Sequence, residues 1–290
     1  MSLPDKVDND IVLDADSVWR IPGPDGFSYS DGESQERYLR DVLWKAGDLG
    51  SDSYELERHI RDWVTEYHLS RKRSRLLSGF TFNRSDRVLE VGCGTGYLGG
   101  VLAARFAGAE LVLSDIAAPM LVEAEARLGA RARYVVMDGE APDERLGKFD
   151  LIISSLAFQW FADLPGALAR LRGMLAPHGR LLFATLGRGS FAAWREAHAA
   201  LGLACGLHEY PGVEEFPWPA GARGALEENM IAEDLADGLV FARDLKRLGA
   251  GQPRVGYQPL ARGALKDVLA RFERGMRVEY HILFGTLGAE

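Results

Sequence analysis

Residues 88–96 have the composition of a ligand-binding turn. Their sequence, Val-Leu-Glu-Val-Gly-Cys-Gly-Thr-Gly, is an apolar run that leads into three glycines. Glycine is needed where the backbone adopts a positive φ or lies against a ligand, because it has no Cβ. A helical segment at 97–106 follows, so the pattern predicts a buried strand, a tight turn and a helix. The turn is either an ordinary glycine turn or a place where the backbone touches a bound cofactor.

The spacing of these glycines separates two kinds of cofactor site. In a dinucleotide-binding turn the small residues follow the pattern G-x-G-x-x-G or A. Here the third small position would be Tyr97, which is too bulky for close helix packing, and the glycines follow G-x-G-x-G instead. With an acidic residue two positions before the first glycine, this spacing resembles the S-adenosylmethionine-binding pattern. The residues expected to contact that cofactor are Glu90, Gly92, Cys93, Gly94, Thr95 and Gly96.

Further polar residues follow the next predicted strands. Asp115 lies 19 residues after Gly96 (115 − 96), where a carboxylate can accept both ribose hydroxyls of an adenosine. Asp138 follows the third strand, where the adenine edge is expected, and Ser154 ends the fourth, beside the reacting methyl group. An acidic residue at a strand end is often only a helix cap, and a nicotinamide cofactor is also bound by an acidic residue after the second strand. The assignment to S-adenosylmethionine therefore depends on all of these residues occurring in the expected order. The remaining expected cofactor contacts are Ile116, Met120 and Gly139.

Short apolar runs alternate with amphipathic segments between residues 87 and 185. We predict strands at 87–91, 110–114, 133–137, 149–154 and 180–185, and helices at 97–106, 118–128 and 164–175. This alternation indicates a parallel sheet with helices on both faces, whose ligands bind at the carboxyl ends of the strands. The expected fold is α/β, a doubly wound, Rossmann-like, seven-stranded and mostly parallel sheet, with an N-terminal helical arm and a lid.

The domain organisation follows from composition. Residues 1–50 are rich in Gly, Pro, Asp and Ser, and we expect a partly ordered arm there. Residues 51–290 are expected to form one S-adenosylmethionine-dependent methyltransferase domain, with a lid or acceptor insertion at about 188–228. Downstream we predict helices at 190–203, 237–248 and 261–274, and a closing strand at 277–285.

The net charge and the cysteine content limit which binding partners and which cellular compartment are expected. The formal net charge of −8 argues against nucleic acid as the main partner, because phosphate binding requires a basic face. The sequence contains no apolar run close to the roughly 18 residues of a membrane-spanning helix. Cys93 lies inside the glycine turn, where a disulfide would distort the backbone, so a reduced, cytoplasmic protein is expected. We expect no metal ion.

Several segments between residue 88 and the end extend the resemblance beyond the cofactor turn. They are residues 154–160 with Asp163 and Leu164, residues 183–186 with 189–191, residues 243–250, and residues 278–285. From about Val88 to the end, which is about two thirds of the chain, the sequence resembles the malonyl-acyl-carrier-protein O-methyltransferases of biotin synthesis. The resemblance implies methylation of the free carboxylate of a malonyl thioester carried on acyl carrier protein.

Other segments depart from that family. Residues 27–33 and 62–70 are similar to the N-terminal flank of methyltransferases associated with bacterial surface-polysaccharide assembly. The loop at 208–219 also differs from the malonyl family, and Glu233 and Asp234 interrupt the expected sixth strand. A small-molecule or surface-polysaccharide-linked O- or N-methyltransferase is therefore an alternative. Two further alternatives are a hydroxylase with the methyltransferase fold and a cofactor-binding scaffold without catalysis.

The chemistry of the leading hypothesis requires no catalytic base. An ionised carboxylate is already nucleophilic, and its negative charge cancels the positive sulfonium as the methyl group moves, so excluding water favours the reaction. We accordingly assign no base. The residues expected to shape the acceptor pocket are Tyr67, His68, Gln159, Trp160 and Lys246. An acidic carrier protein would need a basic docking surface, for which the candidates are Arg71, Lys72, Arg73 and Lys246.

Overall fold

The computed structural model of the protein describes residues 12–13, 19–20, 33–47, 53–61, 65, 69, 85–106, 108–247, 253–254 and 256–289. Tyr67 and His68, predicted to line the acceptor pocket, lie outside these ranges, as do Arg71, Lys72 and Arg73 of the predicted docking surface. The predicted boundary between arm and domain, at residue 50, also falls outside them.

Strands and helices alternate through most of the described chain. The strands are β1 (Val12–Leu13), β2 (Trp19–Arg20), β3 (Arg87–Val91), β4 (Glu110–Asp115), β5 (Arg133–Val136), β6 (Phe149–Ser155), β7 (Leu175–Leu186), β8 (Ala225–Leu235) and β9 (Met276–Gly288). The helices are α1 (Glu33–Lys45), α2 (Tyr54–Glu57), α3 (Tyr97–Arg105), α4 (Ala118–Leu128), α5 (Leu164–Gly173), α6 (Ala192–Ala199), α7 (Gly238–Arg247) and α8 (Arg262–Ala270).

Seven of the strands form one sheet in the order β5-β4-β3-β6-β7-β9-β8. Strands β3 to β7 run parallel to one another, and β9 pairs antiparallel with β7. The strand order proceeds outward from β3 to β5 and then returns to β6 beside β3. The topological switch point therefore lies between β3 and β6, and open α/β sheets bind their ligands at the carboxyl edge of that point.

The two faces of the sheet carry separate apolar clusters. Helix α5 covers one face, where Leu168 and Phe183 are fully buried. Helices α3 and α4 cover the other face, where Leu102 is fully buried. Val88 and Leu89 belong to opposite clusters, because successive side chains of a strand point to opposite faces. Burial on both faces fixes the register of β3 and hence the position of the glycine turn that follows it.

The chain divides into two compact units. One comprises residues 1–70, 189–209 and 230–280, and the other comprises residues 71–188, 210–229 and 281–290. Within the first unit, aromatic side chains of α6, α7 and β9 pack together, among them Trp194, Phe241 and Tyr280. Within the second unit, Phe216 stacks on Phe183 with ring centroids 5.4 Å apart, and Trp218 lies 6.1 Å from the same ring. The later part of the predicted insertion at 188–228 therefore packs on one face of the sheet.

The predicted fold class is confirmed, because the sheet is seven-stranded and mostly parallel, with helices on both faces. Strand β8 departs most from the expectation, because Glu233 and Asp234 were predicted to interrupt a strand at this place. The structure instead places both residues inside a continuous edge strand. Among the described residues, no helix combines the length and apolarity needed to cross a membrane.

Candidate functional site

The turn after β3 has a backbone that only glycine adopts without strain. Gly92, Gly94 and Gly96 have φ values of +70°, +52° and +81°. A Cβ on Gly92 would lie 2.4 Å from the Ala157 Cβ, and one on Gly96 would lie 2.9 Å from Leu128 Cδ1. A Cβ on Gly94 would meet no atom within 4 Å. Packing therefore excludes a side chain at Gly92 and at Gly96, whereas the backbone of Gly94 is not covered by neighbouring atoms.

A buried carboxylate lies directly below this turn. Glu90 is 2% exposed, and within the described structure its Oε2 atom has no hydrogen-bond partner. Burial, with a further contribution from the Asp115 carboxylate, raises the pKa of Glu90 to about 8. A buried carboxylate without a cationic partner is costly, so a cationic ligand group at this position would be strongly favoured.

Asp115, at the end of β4, connects its strand to the glycine turn. Its Oδ2 accepts a hydrogen bond from the Gly94 N–H at 2.9 Å, and its Oδ1 accepts one from the Ala117 N–H at 2.9 Å. Each carboxylate oxygen has a further lone pair. Asp115 therefore orders the turn and keeps acceptor capacity for ligand hydroxyls.

Two side chains inside the turn are buried. The Cys93 N–H donates to the Ser114 carbonyl at 2.9 Å, which ties the turn to β4. Burial raises the pKa of the Cys93 thiol, with further contributions from Glu90 and Asp115, so the thiol is neutral and is a weak nucleophile. The Thr95 hydroxyl oxygen is buried and, like Glu90 Oε2, has no partner within the described structure.

The residues expected near the adenosine are spread along the same edge of the sheet. Ile116 is 70% exposed although it is apolar, and Met120 is half-buried in the first turns of α4. The exposed Asp138 accepts a hydrogen bond from the Glu140 N–H at 2.9 Å. Gly139 is buried, and a Cβ there would lie 2.6 Å from the Phe161 ring. Gly139 therefore allows close packing, whereas the side chains of Ile116 and Asp138 are open to solvent.

The segment after β6 supplies the other side of the site. The Ser154 side chain is fully buried and donates to the Val91 carbonyl at 2.9 Å, so it joins β6 to the end of β3. Leu156 has a φ of +55°, and its N–H donates to the Ala184 carbonyl at 2.8 Å. This bend brings Ala157 against Gly92. Contact of Ser154 with a cofactor stays a prediction.

The two predicted acceptor residues in this segment occupy different surroundings. Gln159 is half-buried, donates to the Leu156 carbonyl, and lies with its Oε1 atom 3.5 Å from the Thr185 hydroxyl. Trp160 is 37% exposed. Gln159 is thus held at the carboxyl edge of β7, and Trp160 presents an indole surface beside it.

The remaining predicted acceptor residues are not located by the structure. The backbone of Lys246 lies in α7, and its side chain is outside the described part of the chain, as are Tyr67 and His68. The described structure therefore brings together the predicted cofactor residues at one sheet edge, with Gln159 and Trp160 next to them.

Two residues of this edge, Thr185 and Arg127, were not predicted from the sequence. Thr185 is 1% exposed and faces Gln159. The sequence pattern that could have indicated it is a single hydroxyl residue near the end of an apolar strand. Arg127 of α4 donates from Nε to the Thr95 carbonyl at 3.0 Å, and its guanidinium lies 3.8 Å above the Tyr97 ring. Only the folded arrangement of α4 reveals that contact.

Comparison with known proteins is consistent with this geometry. A family model described as "Methyltransferase domain" matches residues 89–181. The chain is 36% identical to a malonyl-[acyl-carrier protein] O-methyltransferase of Magnetococcus marinus, over 82% of this chain and 91% of that protein. It is 42% identical to the biotin biosynthesis bifunctional protein BioCD of Bordetella avium, over 83% of this chain. The match spans about half, 51%, of that bifunctional relative.

Among solved structures, the YcgJ protein of Bacillus subtilis matches with a TM-score of 0.51 and 14% identity, over 72% of this chain and 93% of that one. A similarity at this identity supports the fold alone. The extent of the Magnetococcus match, together with the methyltransferase-domain match, confirms the expectation of an S-adenosylmethionine-dependent enzyme. The chain belongs to the malonyl-[acyl-carrier protein] O-methyltransferase family of S-adenosylmethionine-dependent methyltransferases.

Proposed function

We propose that this enzyme transfers a methyl group to the free carboxylate of a malonyl group carried on acyl carrier protein, as a step of biotin synthesis. The observation that carries the proposal is the 36% identity to a malonyl-[acyl-carrier protein] O-methyltransferase along 91% of that relative. We place the reaction in the cytoplasm, because Cys93 and Cys205 are both free thiols in the structure and a reducing compartment would keep them so.

We propose that the glycine turn and the residues around it hold S-adenosylmethionine, which supplies an activated methyl group on a sulfonium. Two observations support the fit. Gly94 presents open backbone where a Cβ would meet no atom within 4 Å, and the Oε2 atom of the buried Glu90 has no hydrogen-bond partner in the described structure. Glu90 would pair with the cationic amino-acid end of the cofactor, because an incoming positive charge removes the penalty of burying a lone carboxylate.

Asp115 would accept the ribose hydroxyls with the lone pairs that its two backbone hydrogen bonds leave available. Ile116 would cover the adenine, since a 70% exposed isoleucine at a ligand edge gains by losing water. Asp138 would meet the adenine edge, and Met120 would line the same side. In this proposal Ser154 and Gly139 shape the walls of the site through packing.

Gln159, Trp160 and Thr185 would form the acceptor side. The Gln159 amide is oriented by the Leu156 carbonyl and the Thr185 hydroxyl, so it is a preorganised polar group at the carboxyl edge. The Trp160 indole would exclude water from the acceptor when the carrier's arm enters. Alignment and water exclusion are sufficient for this chemistry, because a carboxylate attacks a sulfonium methyl without losing a proton.

A panel of acceptors tests the proposal. With isotopically labelled S-adenosylmethionine, the enzyme is expected to label malonyl-acyl carrier protein. Acetyl-acyl carrier protein, which has the same thioester and no free carboxylate, is the matched control and should stay unlabelled. Labelling of a glycan acceptor in place of the malonyl carrier would contradict the proposal and favour a surface-polysaccharide substrate.

A further inference from the structure

One helix, α4, contacts the proposed cofactor site at both of its ends. At its beginning, Ala117 donates a backbone hydrogen bond to Asp115 Oδ1, while Asp115 Oδ2 accepts from the Gly94 N–H, with both distances 2.9 Å. In its last turns, Ala124 and Leu128 lie under Gly96, where a Cβ would be 3.0 Å and 2.9 Å from their side chains. The helix is thus a rigid support beneath a turn built from glycines.

Arg127 adds a polar contact to this support. Its Nε atom donates to the Thr95 carbonyl at 3.0 Å, and its guanidinium lies 3.8 Å above the Tyr97 ring. Thr95 precedes the last glycine of the turn and Tyr97 begins α3. A planar guanidinium can donate a hydrogen bond and stack on an aromatic ring at the same time, which gives the contact a defined geometry.

Holding the turn has a thermodynamic consequence for ligand binding. Glycine loses more conformational freedom on ordering than any other residue, and this turn has three glycines with positive φ. If the turn were loose in the free enzyme, ordering it would weaken the observed affinity for the cofactor. A contact that orders the turn before the ligand arrives lowers that penalty.

We infer that Arg127 is a positioning residue for the cofactor, which acts by fixing the Thr95–Tyr97 segment of the glycine turn against α4. The residue is exposed at the surface of the helix and contacts the turn rather than the reacting atoms. Its effect should therefore appear in cofactor affinity and leave recognition of the acceptor unchanged. The inference rests on the proposed placement of S-adenosylmethionine at the glycine turn.

Substitutions at Arg127 and at a neighbouring arginine, made in the whole chain, test the inference. Calorimetry measures the Kd for S-adenosylhomocysteine, and initial rates give the KM for S-adenosylmethionine and for the acceptor. Arg127→Ala should raise the Kd and the cofactor KM by roughly 5- to 20-fold, the effect of losing one partly exposed hydrogen bond, with the acceptor KM unchanged. Arg127→Lys should recover part of the affinity, because an ammonium keeps the charge and loses the planar stacking.

Arg131→Ala is the matched control. Arg131 follows the same helix and donates to the carbonyls of Leu128 and Arg127, so it stabilises the helix end without touching the turn. Its Kd should stay within about twofold of the wild-type value, because neither of its hydrogen bonds reaches the glycine turn. An Arg127→Ala Kd within twofold of wild type, or equal losses in both variants, would overturn the inference. Failure of the wild-type enzyme to bind S-adenosylhomocysteine would instead overturn the proposed cofactor site itself.

Discussion

Ala157 occupies the space that a side chain on Gly92 would need. A methyl group on Gly92 would lie 2.4 Å from the Ala157 Cβ, well inside van der Waals contact. The two residues follow β3 and β6, the strands that flank the topological switch point. Their contact closes the floor of the proposed cofactor site and makes the first glycine of the turn a packing requirement as well as a conformational one.

Gly92→Ala is expected to abolish most cofactor binding. The variant must displace Ala157 and hold a non-glycine residue at a φ of +70°, a strain of about 1–3 kcal/mol. We expect the Kd for S-adenosylhomocysteine to rise at least tenfold, roughly 1.4 kcal/mol, and the thermal midpoint to fall. Gly100→Ala is the control, since Gly100 lies in α3 with no atom within 4 Å of a Cβ. Equal affinities for the two variants would show that Gly92 does not shape the site.

Glu90→Gln is expected to change how stability depends on pH. The free enzyme holds Glu90 with a pKa raised to about 8, whereas the unfolded chain ionises it near its ordinary value. Its contribution to stability is therefore fully present below the unfolded pKa and is lost as pH rises through the folded pKa. Between about pH 5 and pH 9 the wild-type enzyme should lose a few kcal/mol relative to the variant. Urea unfolding across this range measures the difference, and parallel curves would contradict it.

Proton release provides a second test of Glu90. If a cationic end of the cofactor pairs with Glu90, binding lowers the pKa of this carboxyl and expels a proton below about pH 8. Calorimetry of S-adenosylmethionine binding in buffers of different ionisation enthalpy should detect this proton for the wild-type enzyme and not for Glu90→Gln. The same proton count in both proteins would place the cationic group elsewhere.

Asp115→Asn is expected to weaken cofactor binding with little effect on the acceptor. The carboxylate accepts from the Gly94 and Ala117 N–H groups, and an amide replaces one of these acceptors with a donor. The KM for S-adenosylmethionine should rise roughly 10- to 100-fold, because the variant loses both a hydrogen bond that orders the glycine turn and the proposed contact with the ribose. Asp143→Asn is the control, since Asp143 pairs with Arg145 on the surface. Similar KM values in the two variants would remove Asp115 from the site.

Gln159→Leu is expected to affect the acceptor alone. The leucine keeps the size of the side chain and loses the amide that the Leu156 carbonyl and the Thr185 hydroxyl orient. The KM for the malonyl carrier should rise by roughly 3- to 20-fold, the effect of losing one hydrogen bond. The Kd for S-adenosylhomocysteine should not change. A weakened Kd with an unchanged acceptor KM would move Gln159 from the acceptor side to the cofactor side.

The sheet and the cofactor turn were predictable because local patterns specify them. Residues 88–96 combine an apolar strand with three closely spaced glycines, a pattern typical of a buried strand followed by a turn with positive φ values. The structure confirms both features. Asp115 was predictable as a polar residue at a strand end. Its hydrogen bonds to the Gly94 and Ala117 N–H groups depend on how the elements meet, so the sequence did not indicate them.

Strand β8 shows why other elements were not predictable. Its sequence contains Glu227, Glu228, Glu233 and Asp234, which have low strand propensity. As an edge strand it keeps one side in solvent, and its charges find partners there: Glu228 pairs with His281 at 2.8 Å, and Asp234 pairs with Arg277 at 3.3 Å. These pairs join residues more than 40 positions apart, so no local pattern could indicate them.

The position of the transferred methyl group tests the central claim most directly. Malonyl-acyl carrier protein incubated with the enzyme and S-adenosylmethionine would be analysed by tandem mass spectrometry of the carrier's prosthetic group. A single methyl ester on the free malonyl carboxylate, absent without cofactor and strongly reduced with Gly92→Ala, is the result we predict. A malonyl group that stays unmethylated while the enzyme binds S-adenosylmethionine would contradict the assignment of the acceptor.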